Sequence, residues 1–151
     1  MSVREKLKAL DLQLPEAPAP QGDYVPVVVY NGVAYVSGQV CRLADSVITG
    51  PARVGTSDEI LALAARTCVL RALSALEQAV GDLNNVERIL IVRGFVYAED
   101  GYQNYSKVLD EASRLLVDVF GERGRHARSA LGVAGLPSNG LLEMELVVAV
   151  K

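Results

Sequence analysis

Arg128, Glu143 and Glu145 are charged residues in stretches that otherwise read as β-strand. In the first stretch Arg128, Ala130, Gly132 and Ala134 fall on one face, and Ser129, Leu131 and Val133 on the other. In the second, Leu142, Met144, Leu146, Val148 and Val150 share one face, and Glu143, Glu145, Val147 and Ala149 the opposite one. Charges on a face that turns apolar further along need a partner or a ligand, because an unpaired buried charge is costly. A guanidinium presents a planar fork that fits a carboxylate, and such charge-assisted hydrogen bonds are worth ~1.5–3 kcal/mol each. A nearby carboxylate can hold a water or exchange a proton with it. The chemistry suggested is the handling of a small organic acid with no cofactor and no metal. The structural alternative is a salt bridge from Arg128 to Glu143 or Glu145. Pro137-Ser138-Asn139-Gly140 predicts a turn that joins the two strands as a hairpin. Centred near Ser138-Asn139, it sets Arg128 opposite Ala149, so Arg128 and Glu143 meet only across a small pocket or across chains.

Other inventories are thin. The chain has one histidine, no cluster of His, Cys, Asp and Glu at metal-ligand spacing, no GxSxG, no GxGxxG and no Walker loop. His126, between Arg125 and Arg128, reads as solvated or capping rather than catalytic. Cys41 and Cys68 sit in apolar contexts without CxxC spacing and read as buried, inert thiols of a reducing compartment. A net charge of -3 and no basic run argue against nucleic acid as a partner, since phosphate binding needs clustered Lys and Arg. Met1–Leu10 lacks the apolar core of a signal peptide and no stretch reaches the ~18 apolar residues of a membrane span. A cytoplasmic protein, not at a membrane, is expected.

The elements that must hold these residues fit one domain over 1–151, in which residues 1–23 form a brace and a Pro-rich connector. Val3–Leu10 has an apolar stripe suited to clipping onto a surface. Leu14–Pro20, with three prolines, is extended and carries no assigned binding role. Asn31-Gly32 predicts a type I′ hairpin between Val25–Tyr30 and Val33–Val40, and Ser37-Gly38 at the end of the second arm lets a ligand or backbone approach. Arg42–Gly55 reads as a surface loop. Thr56 and Glu59 read as a capping box that opens a helix to about Val80, with Arg66, Arg71, Glu77 and Gln78 on its polar side. A strand over Ile89–Tyr97 and a helix over Asn104–Phe120 follow. The order β-β-α-β-α-β-β gives an α+β protein, a mixed sheet with two helices on one face. Several strands are apolar on both faces, which requires a second cover, most simply another subunit.

Tyr24, Val36-Ser37-Gly38-Gln39, Ala127-Arg128-Ser129, Leu136-Pro137 and Glu143-Met144-Glu145, in this order, resemble the YjgF/Rid family of imine and enamine deaminases, also described as L-PSP endoribonucleases. The resemblance spans about Tyr24 to Val150, and the N-terminal pieces and Gly121–Ser129 are similar to a longer, little-characterised branch. It implies a chorismate-mutase-like fold of the Bacillus type and a homotrimer with a central barrel of sheets and clefts between subunits. It further implies that Arg128 binds the carboxylate of a 2-imino acid and that Glu143 positions the attacking water, while Tyr24, Ser37 and Gly38 line the site. Ala130 stands where many of these deaminases carry a cysteine, and Asp110 where they carry an asparagine. An acidic Asp110 near the pocket would repel a carboxylate. The competing expectation is a trimer that binds a small carboxylate without turning it over.

Overall fold

Asn31 and Gly32 both take left-handed backbone, at φ 50° and 75°, and join β1 (Val27–Tyr30) to β2 (Val33–Val40) in register. This is the predicted type I′ hairpin. It opens the fold of the computed structural model, which describes residues 1–151. Pro26 trims β1 at its start, although its carbonyl still accepts from the Ser37 amide at 2.8 Å. The remaining elements are α1 (Val3–Ala9), α2 (Asp58–Val80), β3 (Val86–Tyr97), α3 (Tyr105–Phe120), β4 (Ala127–Val133) and β5 (Leu142–Val150).

The helices follow their expected apolar stripes. On α2 the residues Leu61, Ala64, Ala65, Cys68, Ala72 and Ala75 are buried, and small side chains let the helix lie close on the sheet. Its cap differs from the expected box. Ser57, not Thr56, accepts from the Ile60 amide at 3.2 Å, while Thr56 Oγ1 accepts from the Arg53 amide at 3.0 Å and closes the preceding turn. The α1 helix has its own capping box from Ser2 and Glu5, and it buries Val3 and Leu7 against the body. The connector after it is tied to α2 by Ser74 Oγ–H donating to the Pro15 carbonyl at 2.6 Å.

The sheet order is β1-β2-β5-β3-β4, and this overturns the expected hairpin of β4 with β5. β4 instead pairs in parallel with β3, Arg128 opposite Val92, through the helical crossover α3. β5 inserts between β2 and β3 and is antiparallel to both. The composition of the two strands explains the choice. β5 buries Leu142, Met144, Leu146, Val148 and Val150 and suits a central position. β4 carries Arg128, Ser129 and Gly132, and polar residues suit a sheet edge. The Pro137–Gly140 turn exists, with Ser138 and Asn139 both at positive φ, but it leads the chain past β3 into β5 instead of closing a two-strand ribbon.

One apolar core joins the helices to the near face of the sheet, from Val3 through Val150. The far face has no helix over it and leaves Val28, Tyr35 and Leu131 about half exposed. The apolar residues that the strand pattern put on this face are thus left uncovered within one chain. No helix is long and apolar enough to cross a membrane.

Candidate functional site

The residues singled out in the sequence collect at two places. Alternation along β5 sends Leu142 and Met144 into the core and Glu143 away from the helices. A bulge in β2 between Val36 and Gln39 brings Gly38 beneath that carboxylate. A Cβ at position 38 would collide with Glu143 Oε1, so glycine is what permits the carboxylate to lie there. Ser37, Gly38, Glu143 and Tyr24 all line one cavity of about 240 Å³. Glu143 makes no hydrogen bond or ion pair within the chain, and its pKa is raised, first by burial and then by the neighbouring charge of Glu145. Glu145 itself pairs with Arg93 at 3.3 Å. Ser37 Oγ is buried with no hydrogen-bond partner.

Arg128 is elsewhere. Its side chain turns onto α3, where Nη1 donates to Ser113 Oγ at 3.0 Å. Nη2 donates to Asp110 Oδ1 at 3.0 Å, Ser106 Oγ at 2.7 Å and the Ser106 carbonyl at 3.2 Å. Ala130, two residues on, packs against the core on the same face. Arg128 thus lies on the helix face of an edge strand and Glu143 on the opposite face of the central strand. Two strand spacings and three residues of register separate their Cα atoms by roughly 14 Å. Neither expected salt bridge of Arg128, to Glu143 or to Glu145, forms. The partner is Asp110, whose charge is compensated by Arg128 instead of facing the cavity.

His126 lies on this seam, with both ring nitrogens in hydrogen-bond contact. Nδ1 lies 2.6 Å from the Gly124 carbonyl and Nε2 lies 2.8 Å from Ser113 Oγ. A carbonyl can only accept, so Nδ1 carries the proton and Nε2 accepts from the serine. Burial, reinforced by the charge of Arg128 and opposed by the Gly124 hydrogen bond, lowers its pKa from 6.5.

Sequence reasoning missed three contributors to the cavity. Arg71 was expected on the polar side of α2, but it is only partly exposed and lines the cavity with its Nε buried and unpartnered. Its position three residues after the buried Cys68 was the available signal, because i and i+3 share a helix face. Arg42, at the start of the loop after β2, reaches across to donate to Ser138 Oγ at 2.9 Å. The connector residues Pro18–Gln21 form one wall. The prolines explain an extended path, but nothing in the local sequence says what that path borders. Cys41 and Cys68 are buried free thiols, as expected.

A five-stranded mixed sheet with helices on one face defines an α+β protein of the chorismate-mutase-like class. The chain belongs to the YjgF/Rid family: residues 4–150 match the family described as "YjgF/chorismate mutase-like, putative endoribonuclease". It is 36% identical to "Protein TCP17" of Trypanosoma cruzi over 148 residues, which is 97% of this chain and 92% of that one. Among solved structures it is similar to protein Atu1372 of Agrobacterium tumefaciens, described as of unknown function. That match has a TM-score of 0.90 and 32% identity, covering 99% of this chain and 92% of that one. A protein of Shewanella oneidensis MR-1, described as a putative endoribonuclease, superposes with a TM-score of 0.94 at 29% identity, covering 99% of this chain and all of that one. Both structural matches take in the N-terminal brace and connector.

Proposed function

We propose that this protein hydrolyses reactive 2-imino and 2-enamino acids to 2-oxo acids and ammonia, without a cofactor, in clefts between the subunits of a homotrimer. The observation that carries the reading is the Glu143 carboxylate, half-buried and unpartnered over Gly38 beside Ser37. A carboxylate with a raised pKa is a base that can take a proton from water without being permanently neutralised by a cation. Water held by Glu143 adds to the carbon of a protonated imine, and the proton passes to Glu143. Glu143 then returns it to the nitrogen of the tetrahedral adduct, the C–N bond breaks, and as the carbonyl forms the hydroxyl proton passes through Glu143 to the departing ammonia, which leaves as ammonium. An iminium carbon is already electrophilic, so orientation and one positioned water supply most of what the reaction needs.

In this reading Arg128 of the partner subunit anchors the substrate carboxylate, and Tyr24, Ser37 and Gly38 border the opposite side. Two facts support an arrangement across subunits. Arg128 and Glu143 leave opposite faces of one sheet, and the far face keeps Val28, Tyr35 and Leu131 half exposed. A non-catalytic trimer that binds a small carboxylate is the second reading, favoured by the hold of Asp110, Ser106 and Ser113 on Arg128. Ribonuclease action is disfavoured, since the one histidine is committed to Ser113 and Gly124 and the chain carries a net charge of -3. The deciding experiment is ammonia and 2-oxo acid release from freshly generated 2-iminopropionate. Turnover above the spontaneous rate supports the enzyme, and its absence with retained carboxylate binding leaves the second reading.

A further inference from the structure

Two arginines, Arg42 and Arg71, line the Glu143 cavity, and neither is ion-paired within the chain. Arg42 has one hydrogen bond, to Ser138 Oγ, and Arg71 has none. Burial lowers the pKa of Arg71, and the charge of Arg42 lowers it further. Two like charges side by side at a partly buried wall are unfavourable unless an anion lies between them. Glu143 does not serve as that anion. It forms no ion pair and no hydrogen bond with either arginine, and its raised pKa agrees with that. No carboxylate of the chain lies within ion-pair distance of either arginine. The buried, unpartnered Ser37 Oγ offers a further donor on the same cavity wall.

The size of the cavity also suits a small guest. At about 240 Å³ it is below the ~300–1,000 Å³ of pockets for drug-sized ligands. Pro18–Gln21 wall it, and the connector is held in place by the Ser74 hydrogen bond to Pro15. We infer that Arg42 and Arg71 form a second anion receptor, distinct from Arg128, and that the compounds accepted are 2-imino dicarboxylic acids. The imine carbon lies at Glu143 and the distal acidic group between the two guanidinium forks. This rests on the deaminase reading for the position of the imine, while the anion receptor itself rests only on the arginines.

The test is calorimetric binding of stable 2-oxo acids, 2-oxoglutarate against 2-oxobutyrate, to the intact protein and to Arg71→Gln and Arg42→Gln. The wild type is expected to bind the dicarboxylate at least ~10-fold more tightly, the scale of one charge-assisted hydrogen bond. Each substitution removes that preference and leaves 2-oxobutyrate affinity within about twofold. Arg71→Lys, which keeps the charge and loses the fork, falls between and covers the case in which Arg71→Gln fails to fold. Equal affinities for the two acids in the wild type, no binding of either, or a preference that survives both Gln variants overturns the inference. The deaminase reading is judged separately by ammonia release from the imines of alanine and glutamate. Turnover of both at equal efficiency sinks the dicarboxylate preference alone. No turnover of either, with the binding preference intact, sinks the deaminase reading alone.

Discussion

The seam between β4 and α3 and the cavity beneath Glu143 contain the same kinds of group, arginine, serine and carboxylate, in opposite states of satisfaction. On the seam Arg128 gives its donors to Asp110, Ser106 and Ser113, and His126 completes the chain to Gly124. In the cavity Glu143, Ser37 Oγ and Arg71 Nε have no partner in the chain. Buried polar groups are nearly always hydrogen-bonded, and exceptions ask for a reason. The seam is a set of interactions completed on folding. The cavity has polar groups left over, which is the condition expected where a ligand completes the set. Residue type alone does not separate the two regions, but the pattern of unmet hydrogen bonds does.

The sharpest way to break this comparison is to remove one residue from each region. Glu143→Gln is expected to reduce imine turnover by ~10²-fold or more, the scale of a general acid-base contribution. It should also stabilise the fold near neutral pH. The folded pKa of Glu143 lies above 4.5, so the folded state binds the extra proton and wild-type stability falls as pH rises from about 4.5 through the raised value. Urea unfolding at pH 4 and pH 7 checks this, since the advantage of the Gln variant should be confined to pH 7. Arg128→Ala should abolish turnover too, but with a cost in stability of about 1–3 kcal/mol, because Asp110, Ser106 and Ser113 lose their donor. Loss of turnover with unchanged stability would mean that the seam contacts contribute nothing to folding. Retained turnover would remove Arg128 as the substrate anchor.

A smaller effect is expected at Gly38. The group in the way of a new Cβ is the end of the Glu143 side chain, which can swing aside. Gly38→Ala should therefore leave the unfolding midpoint nearly unchanged and lower turnover by about tenfold through a misplaced carboxylate. Equal losses in stability and activity would show that Gly38 serves the β2 bulge rather than the position of Glu143.

How far each feature was legible in the sequence follows the range of the interactions involved. Asn31-Gly32, the stripes on α2 and α3 and the alternation of β5 are local patterns, and they specified elements and faces. The partner of β4 was not local. Pro137–Gly140 carries valid turn residues, yet whether a turn closes a hairpin or redirects the chain depends on which strand needs burial on both sides. That is set by comparing β4 with β5, and the apolar face of Leu142–Val150 wins the central place over a strand with Arg128 and Gly132. The same non-locality hid the site. Tyr24, Ser37, Gly38 and Glu143 were found through motifs, but Arg71 enters only because α2 packs on β2 and β5, which puts it in the same cavity as Ser37 and Gly38. Asp110 was read as a threat to substrate binding because its ion pair with Arg128 joins α3 to an edge strand whose place was not yet known.

The smallest effect belongs to His126 and tests whether that residue's place on the seam is structural. The Gly124 carbonyl fixes the proton on Nδ1, so protonation adds an N–H at Nε2, where Ser113 now donates. Ser113 would have to turn its own proton away while also receiving Arg128. With its pKa depressed from 6.5, His126 contributes stability that is present above about 6.5 and lost as pH falls toward the lower folded value. His126→Gln should remove this part of the acid sensitivity. Its urea midpoint relative to wild type should be lower at pH 7.5 than at pH 5.5, and imine turnover at pH 7.5 should be little changed. If turnover instead collapses while the pH dependence of stability is unaltered, His126 acts on the reaction, and the division between a satisfied seam and an open cavity fails at that residue.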